Sequence, residues 1–76
     1  MLLLYKRSSF IKWLTAKGCE VYPLKHTNVM MIEGPFCTVK MWINPKDVID
    51  YEEIVLICQK LHLQDLPGNK DLVIVE

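Results

Sequence analysis

The segment Phe36–Ile43 constrains the fold most strongly, because its apolar residues recur at every second position. The side chains that would point to one side are all apolar: Cys37, Val39, Met41 and Ile43. Those that would point to the other side are mixed: Phe36, Thr38, Lys40 and Trp42. Successive side chains of a strand lie on opposite faces, so this alternation predicts a strand with one face against a core.

Two further extended segments precede this strand. Cys19–Leu24 carries Pro23 near its end, which favours an edge position or a strand end. Thr27–Ile32 is rich in valine and methionine, and Gly34-Pro35 breaks it in the manner of a turn. The short connections predict an antiparallel meander of three strands.

The residues before the strands predict a short amphipathic helix over Ser9–Lys17. Its apolar positions recur at helical spacing: Phe10, Ile11, Trp13 and Leu14. The hydroxyl groups of Ser8-Ser9 can accept hydrogen bonds from unpaired amides of the first turn. Gly18 is expected to end the helix, because glycine adopts the left-handed conformation without steric cost.

A second helix is predicted to open at Asp50, which forms a capping box with Glu53, and to end near His62. The apolar stripe of this helix comprises Ile54, Val55, Ile57, Cys58 and Leu61. A stripe of this kind is expected to lie across the sheet. A turn-forming cluster follows over residues 65–69, and Leu72–Val75 is predicted to be a final strand.

Both ends of the chain contain a short, extended and uncharged segment, Leu2–Tyr5 and Leu72–Val75. Apolar strands with unpaired edges tend to associate. These segments are therefore expected to pair with each other, with the edge of the sheet or with a second chain. The last of these arrangements predicts a homodimer.

These elements predict an α+β fold in a single domain of 76 residues. The expected architecture is a small antiparallel three-stranded sheet with two helices on one face, in the order α-β-β-β-α, plus a short C-terminal strand. Its core is expected over residues 8–63, with an apolar N-terminal arm over 1–7 and a C-terminal extension over 64–76. The double-stranded-RNA-binding fold has the same order, although a fold alone says little about function.

The net charge is zero, but the charges are unevenly distributed along the chain. Residues 1–46 contain seven basic and two acidic residues, whereas residues 47–76 contain two basic and seven acidic residues. This distribution excludes a uniformly basic nucleic-acid-binding protein. It leaves open a molecule with one positive and one negative face.

The remaining composition excludes several classes of protein. The three cysteines, Cys19, Cys37 and Cys58, lack the paired spacing of a zinc site, so they are expected to be reduced thiols, and no metal or cofactor is predicted. The opening apolar run is too short for a signal peptide, and no run approaches the roughly 20 residues of a membrane span. The chain is therefore expected to be soluble and cytoplasmic.

Several motifs resemble the HicA family of toxins, over roughly residues 8–63. Phe10-Ile11-Lys12-Trp13-Leu14, followed by Lys17-Gly18, is similar to the I-K-x-L…G opening of that family. Lys25-His26-Thr27 stands where the family usually places glycine-serine-histidine. The valine-rich strand and Pro-Lys stretch of the family resemble Phe36-Cys37-Thr38-Val39 and Pro45-Lys46-Asp47.

HicA toxins are small ribonucleases that cut messenger RNA, use one catalytic histidine and are silenced by a partner antitoxin. The resemblance therefore implies that His26 is a general base, a role that suits imidazole because it titrates near neutral pH. The residues expected to bind RNA, by charge or by stacking, are Lys12, Lys17, Lys25, Lys40 and Trp42. A simpler interpretation places His26 in a solvated turn and Trp42 in the core.

A second hypothesis is a non-catalytic protein-interaction module on the same fold. Its zero net charge, the Leu24-Lys25 pair in place of glycine-serine and the additional C-terminal strand favour it. Such a module would form a dimer or recruit a partner through the edges of its sheet.

Overall fold

The computed structural model describes residues 2–68 and 72–75, so Asn69 of the predicted turn and the charged Lys70, Asp71 and Glu76 lie outside the described residues. In chain order, the elements are β1 (Leu2–Lys6), α1 (Arg7–Ala16), β2 (Glu20–Pro23), β3 (Val29–Glu33), β4 (Thr38–Trp42), β5 (Val48–Asp50), α2 (Tyr51–Lys60) and β6 (Leu72–Val75). The structure is thus an α+β protein with two helices and two three-stranded sheets.

The first sheet, which we call the meander sheet, has the antiparallel strand order β2-β3-β4. It confirms the predicted meander and the alternation in its last strand. Val39 and Met41 are buried, whereas Thr38, Lys40 and Trp42 are exposed. We call the side with these three exposed residues the open face.

The second sheet, which we call the terminal sheet, has the antiparallel order β5-β1-β6. It confirms the strand Leu72–Val75 and shows that the two chain ends pair with each other. The observed order, β-α-β-β-β-β-α-β, adds β1 and β5 to the expected α-β-β-β-α with a C-terminal strand. The N-terminal arm becomes a strand by pairing with β5 and β6. Val48–Asp50 is too short to show a periodicity and becomes a strand only by pairing with β1.

A single hydrophobic core joins the two sheets and the two helices. The core residues that are at most 2% exposed are Phe10, Leu14, Ile32, Met41, Ile54, Ile57, Cys58 and Leu61. Tyr5 and Ile49 extend this core into the terminal sheet. Full burial of one large apolar side chain contributes about 1.5–3 kcal/mol, so this shared core holds the two sheets together.

Helix α1 begins two residues before the predicted start, and its first turn is capped by a residue distant in sequence. The carboxylate of Asp47 accepts hydrogen bonds from the Ser8 amide (3.1 Å) and the Ser8 hydroxyl (2.8 Å). These bonds lower the pKa of Asp47. At the other end Gly18 has a φ of +91°, which confirms it as the residue that ends the helix.

Helix α2 differs from the prediction at its first turn. The predicted capping box of Asp50 and Glu53 is wrong, because Asp50 makes no capping hydrogen bond through its side chain. Asp50 does stand at the N-cap position, as predicted, and it is also the last residue of β5, where it pairs with Leu4. The helix ends at Lys60, and His62 follows with a φ of +59°.

Candidate binding groove

One edge of β4 pairs with no other strand of the described residues, and we call it the free edge. The Ile43 amide donates to the Asn28 carbonyl (2.8 Å), and the Gly34 amide donates to the Cys37 carbonyl (2.9 Å). Backbone groups alternate in direction along an antiparallel ladder, so the odd-numbered residues of β4 point towards β3. The N–H and C=O groups of Thr38, Lys40 and Trp42 therefore point away from β3, along the outer edge of the sheet.

Helix α2 forms a wall beside this edge. The space between them is a groove of about 670 Å³, which we call the edge groove, lined by Cys37, Thr38, Val39, Lys40, Trp42, Glu53 and Lys60. The Cys37 thiol donates a hydrogen bond to the Lys60 carbonyl (2.9 Å), which places the end of α2 beside the start of β4. Helix and strand therefore run in opposite directions along the groove.

A second concavity of about 290 Å³ adjoins the edge groove and shares Trp42 and Glu53 with it. Its other lining residues belong to the β4–β5 connection, β5 and β1: Leu4, Ile43, Asn44, Pro45, Val48, Ile49 and Asp50. The groove thus continues past the end of β4 towards β5. Trp42, at the junction, is 72% exposed.

The opposite edge of the meander sheet is less suited to pairing. The Leu24 amide donates to the Val29 carbonyl (3.0 Å), so by the same alternation Val21 and Pro23 have their backbones directed outward. Proline has no N–H group, and β2 is also contacted by α1. The edge of β2 is therefore less able to pair with an added strand. The edge of β4, in contrast, presents three residues with both backbone groups directed outward.

The turn between β2 and β3 carries the predicted catalytic residue. The Thr27 amide and hydroxyl both donate to the Leu24 carbonyl (3.3 and 2.8 Å), and His26 occupies the third turn position with a φ of +64°. The His26 side chain is exposed and has no hydrogen-bond or ion-pair partner within residues 2–68 and 72–75. Lys25 beside it is also exposed.

The strand register places this turn at the same end of the sheet as Trp42. Leu24 is bonded to Val29, and Val29 pairs with Trp42 across β3 and β4. Neighbouring strands lie about 4.8 Å apart, so β2 and β4 are separated by roughly 10 Å. The structure therefore brings Lys25 and His26 to the end of the sheet where Trp42 lies on the open face.

Two of the lysines predicted to bind RNA lie elsewhere. Lys12 is two residues from both Phe10 and Leu14, which are buried, so at 3.6 residues per turn it lies on the outer side of α1. Lys17 forms an ion pair with Asp65 (2.5 Å) and lies 5.4 Å from the centre of the Trp13 ring. The ion pair lowers the pKa of Asp65.

The far end of the open face is acidic. Glu20 and Glu33 face each other across β2 and β3, and the Tyr22 hydroxyl donates to the Glu33 carboxylate (2.9 Å). That hydrogen bond raises the pKa of Tyr22. An RNA backbone on this face would therefore meet positive charge only towards Lys40 and the Lys25 turn.

Sequence reasoning missed the part that α2 plays in this site. The sequence indicates only a capping role for Glu53 and no function for Lys60, yet both residues line the edge groove. No local pattern distinguishes them from other charged residues of an amphipathic helix. Their role becomes visible only when α2 is placed beside β4.

Among the described residues, no group of three or more His, Cys, Asp or Glu side chains is arranged to hold a metal ion. No helix in residues 2–68 is both long enough and apolar enough to cross a membrane. Comparison of the chain with protein-family models, curated proteins and solved structures finds no match.

Proposed function

We propose that this protein is a non-catalytic interaction module that binds an extended segment of a partner protein as an additional strand along β4. The observation that carries the proposal is the outer edge of β4. Thr38, Lys40 and Trp42 direct both of their backbone hydrogen-bonding groups into a groove walled by α2. Strand addition to an exposed sheet edge is a common mode of peptide recognition.

The charges around the groove also favour a protein ligand over a nucleic acid. Lys40 and Lys60 lie in the same groove as Glu53, and Asp50 lies in the adjoining concavity. Nucleic-acid binding is dominated by contacts with phosphate, which acidic side chains oppose. A polypeptide can instead match basic and acidic side chains with its own.

Substitution of Lys40 by proline tests this function. The Lys40 amide points away from β3, so Lys40→Pro leaves the β3–β4 ladder intact and removes one donor from the free edge. A net loss of about 1 kcal/mol per hydrogen bond predicts that affinity falls about fivefold to tenfold. Titration calorimetry with a short blocked peptide of alternating valine and threonine would measure it.

Lys40→Ala is the matched control, because it removes the same charge and side chain but keeps the amide. The alanine variant is expected to bind the peptide more tightly than the proline variant. Equal affinities of the two variants, with both folded by circular dichroism, would contradict strand addition at this edge.

A second candidate function is RNA binding and cleavage in the manner of HicA toxins. The observation that favours it is the position of Lys25 and His26 at the same end of the sheet as Trp42, with Lys40 next to Trp42 on the open face. Trp42 could stack on a base and the lysines could contact phosphate, while His26 accepts the proton of a 2′-hydroxyl.

His26→Asn tests this second function, because asparagine tolerates a positive φ and preserves the turn while removing the imidazole. Wild-type protein would cleave a labelled single-stranded RNA, and the variant is expected to lose at least about a hundredfold in rate. Binding of RNA by the variant should persist and weaken steeply with salt. Absence of cleavage by the wild type, or equal cleavage by both proteins, would exclude His26 as a catalytic base.

A further inference from the structure

The two ends of the edge groove carry charges of opposite sign. The charged residues that line the two adjoining concavities are Lys40, Lys60, Asp50 and Glu53. Since α2 runs opposite to β4, Lys60 lies beside the start of β4 and Glu53 lies near Trp42 at its end. Asp50 lies in the same concavity as Trp42. One end of the groove is therefore basic and the other is acidic, with Lys40 between them.

A ligand strand can align with this pattern in two directions, and the backbone favours one of them. Antiparallel pairing is slightly more stable per residue than parallel pairing. In the antiparallel direction, the first residues of the ligand lie opposite Trp42 and its last residues lie opposite Thr38. The first residues then approach Glu53 and Asp50, and the last residues approach Lys60.

We infer that the partner segment is an extended strand of alternating apolar residues that carries a basic residue at its N-terminal end and an acidic residue at its C-terminal end. This inference rests on the proposed function, since it specifies the ligand of the same groove. The basic residue pairs with Glu53 and Asp50, and the acidic residue pairs with Lys60. Trp42 covers the apolar side chains near the junction of the two concavities.

Two blocked peptides of identical composition test the inference with the full chain. Both contain alternating valine and threonine. The first has lysine near its N-terminus and glutamate near its C-terminus, and the second has the two charges exchanged. Two partly exposed ion pairs predict that the lysine-first peptide binds about threefold to tenfold more tightly at low salt. The preference should shrink as the salt concentration rises.

A charge exchange in the protein provides the matched control. Glu53→Lys combined with Lys60→Glu should reverse the preference, so that the glutamate-first peptide binds more tightly. If this variant fails to fold, the double variant Glu53→Gln, Lys60→Gln replaces it. That variant should still bind both peptides, but its preference for the lysine-first peptide should be smaller than that of the wild type.

The outcomes separate the inference from the function on which it rests. Equal affinity of the wild type for the two peptides, or tighter binding of the glutamate-first peptide, would overturn the inference and leave strand addition in place. The same conclusion follows if the charge-exchanged variant folds and keeps the wild-type preference. If neither peptide binds the folded wild type, the proposed function is overturned and this inference with it.

Discussion

Two histidines occupy backbone conformations that favour glycine. His26 has a φ of +64° in the β2–β3 turn, and His62 has a φ of +59° after α2. The Leu63 amide donates to the Cys58 carbonyl (2.9 Å), and the His62 amide donates to the Gln59 carbonyl (3.1 Å). These two bonds form a Schellman motif, in which the residue with positive φ is usually glycine. His62 therefore terminates the helix at a steric cost.

Replacement of His62 makes this cost measurable. His62→Gly is expected to be about 1 kcal/mol more stable than His62→Ala, because only glycine is free of Cβ strain at this φ. Both variants lose the edge-on ring contact with Phe36. The loss of this contact therefore cancels when the two variants are compared. Chemical denaturation of the two variants measures the difference in free energy of unfolding. A more stable alanine variant would show that this backbone is not strained.

At the scale of elements, the start of α1 depends on a residue 39 positions away in the sequence. Asp47 accepts two hydrogen bonds from Ser8, and the Arg7 guanidinium also lies 3.6 Å from its carboxylate. The positive end of the helix dipole also stabilises an acidic group at this position. The β4–β5 connection therefore caps α1, a role that the sequence predicts for the hydroxyl groups of Ser8-Ser9.

The capping bond predicts a specific dependence of stability on pH. The pKa of Asp47 is lowered in the folded protein, chiefly by the Ser8 hydroxyl. The ionised Asp47 carboxylate therefore contributes fully to the free energy of unfolding above its unfolded-state pKa of about 3.9. This contribution is lost as the pH falls through the lower folded-state pKa. Asp47→Asn should unfold more readily near neutral pH and show a flatter fall in stability below about pH 4.

Asp65→Asn is the control for this prediction, because Lys17 lowers the pKa of Asp65 at the other end of α1. That variant should retain the part of the acid dependence that comes from Asp47. Denaturant unfolding measured across the acidic range gives both curves. Identical curves for wild type and Asp47→Asn would show that the Ser8 bonds do not contribute to stability.

At the scale of the whole molecule, the division of charge along the chain is partly cancelled by folding. Arg7 pairs with Asp47, and Lys17 pairs with Asp65, so two ion pairs join the basic part of the sequence to the acidic part. Lys40 and Glu53 likewise come from different parts of the chain and line one groove. At these three places the tertiary structure therefore brings charges of both signs together.

The faces of a strand and the end of a helix were predictable from the sequence wherever a pattern of a few neighbouring residues determines them. The alternation in β4 identified its buried and exposed faces, because strand periodicity requires no tertiary partner. Gly18 identified the end of α1, because glycine adopts a positive φ without Cβ strain and is therefore the usual residue at this position. His62 performs a similar role after α2 although histidine is not the usual residue there, so its conformation carried no sequence signal.

The sequence by itself determined two helices, the three-stranded meander and an apolar strand at each end, since periodicity and turn residues act locally. Only the tertiary structure decided that β1 is the central strand of a second sheet and that Val48–Asp50 is a strand. It also placed α2 beside the free edge of β4 and Lys12 away from the open face. The physical reason is that strand pairing and helix packing depend on contacts between residues far apart in the chain, which local pattern does not encode.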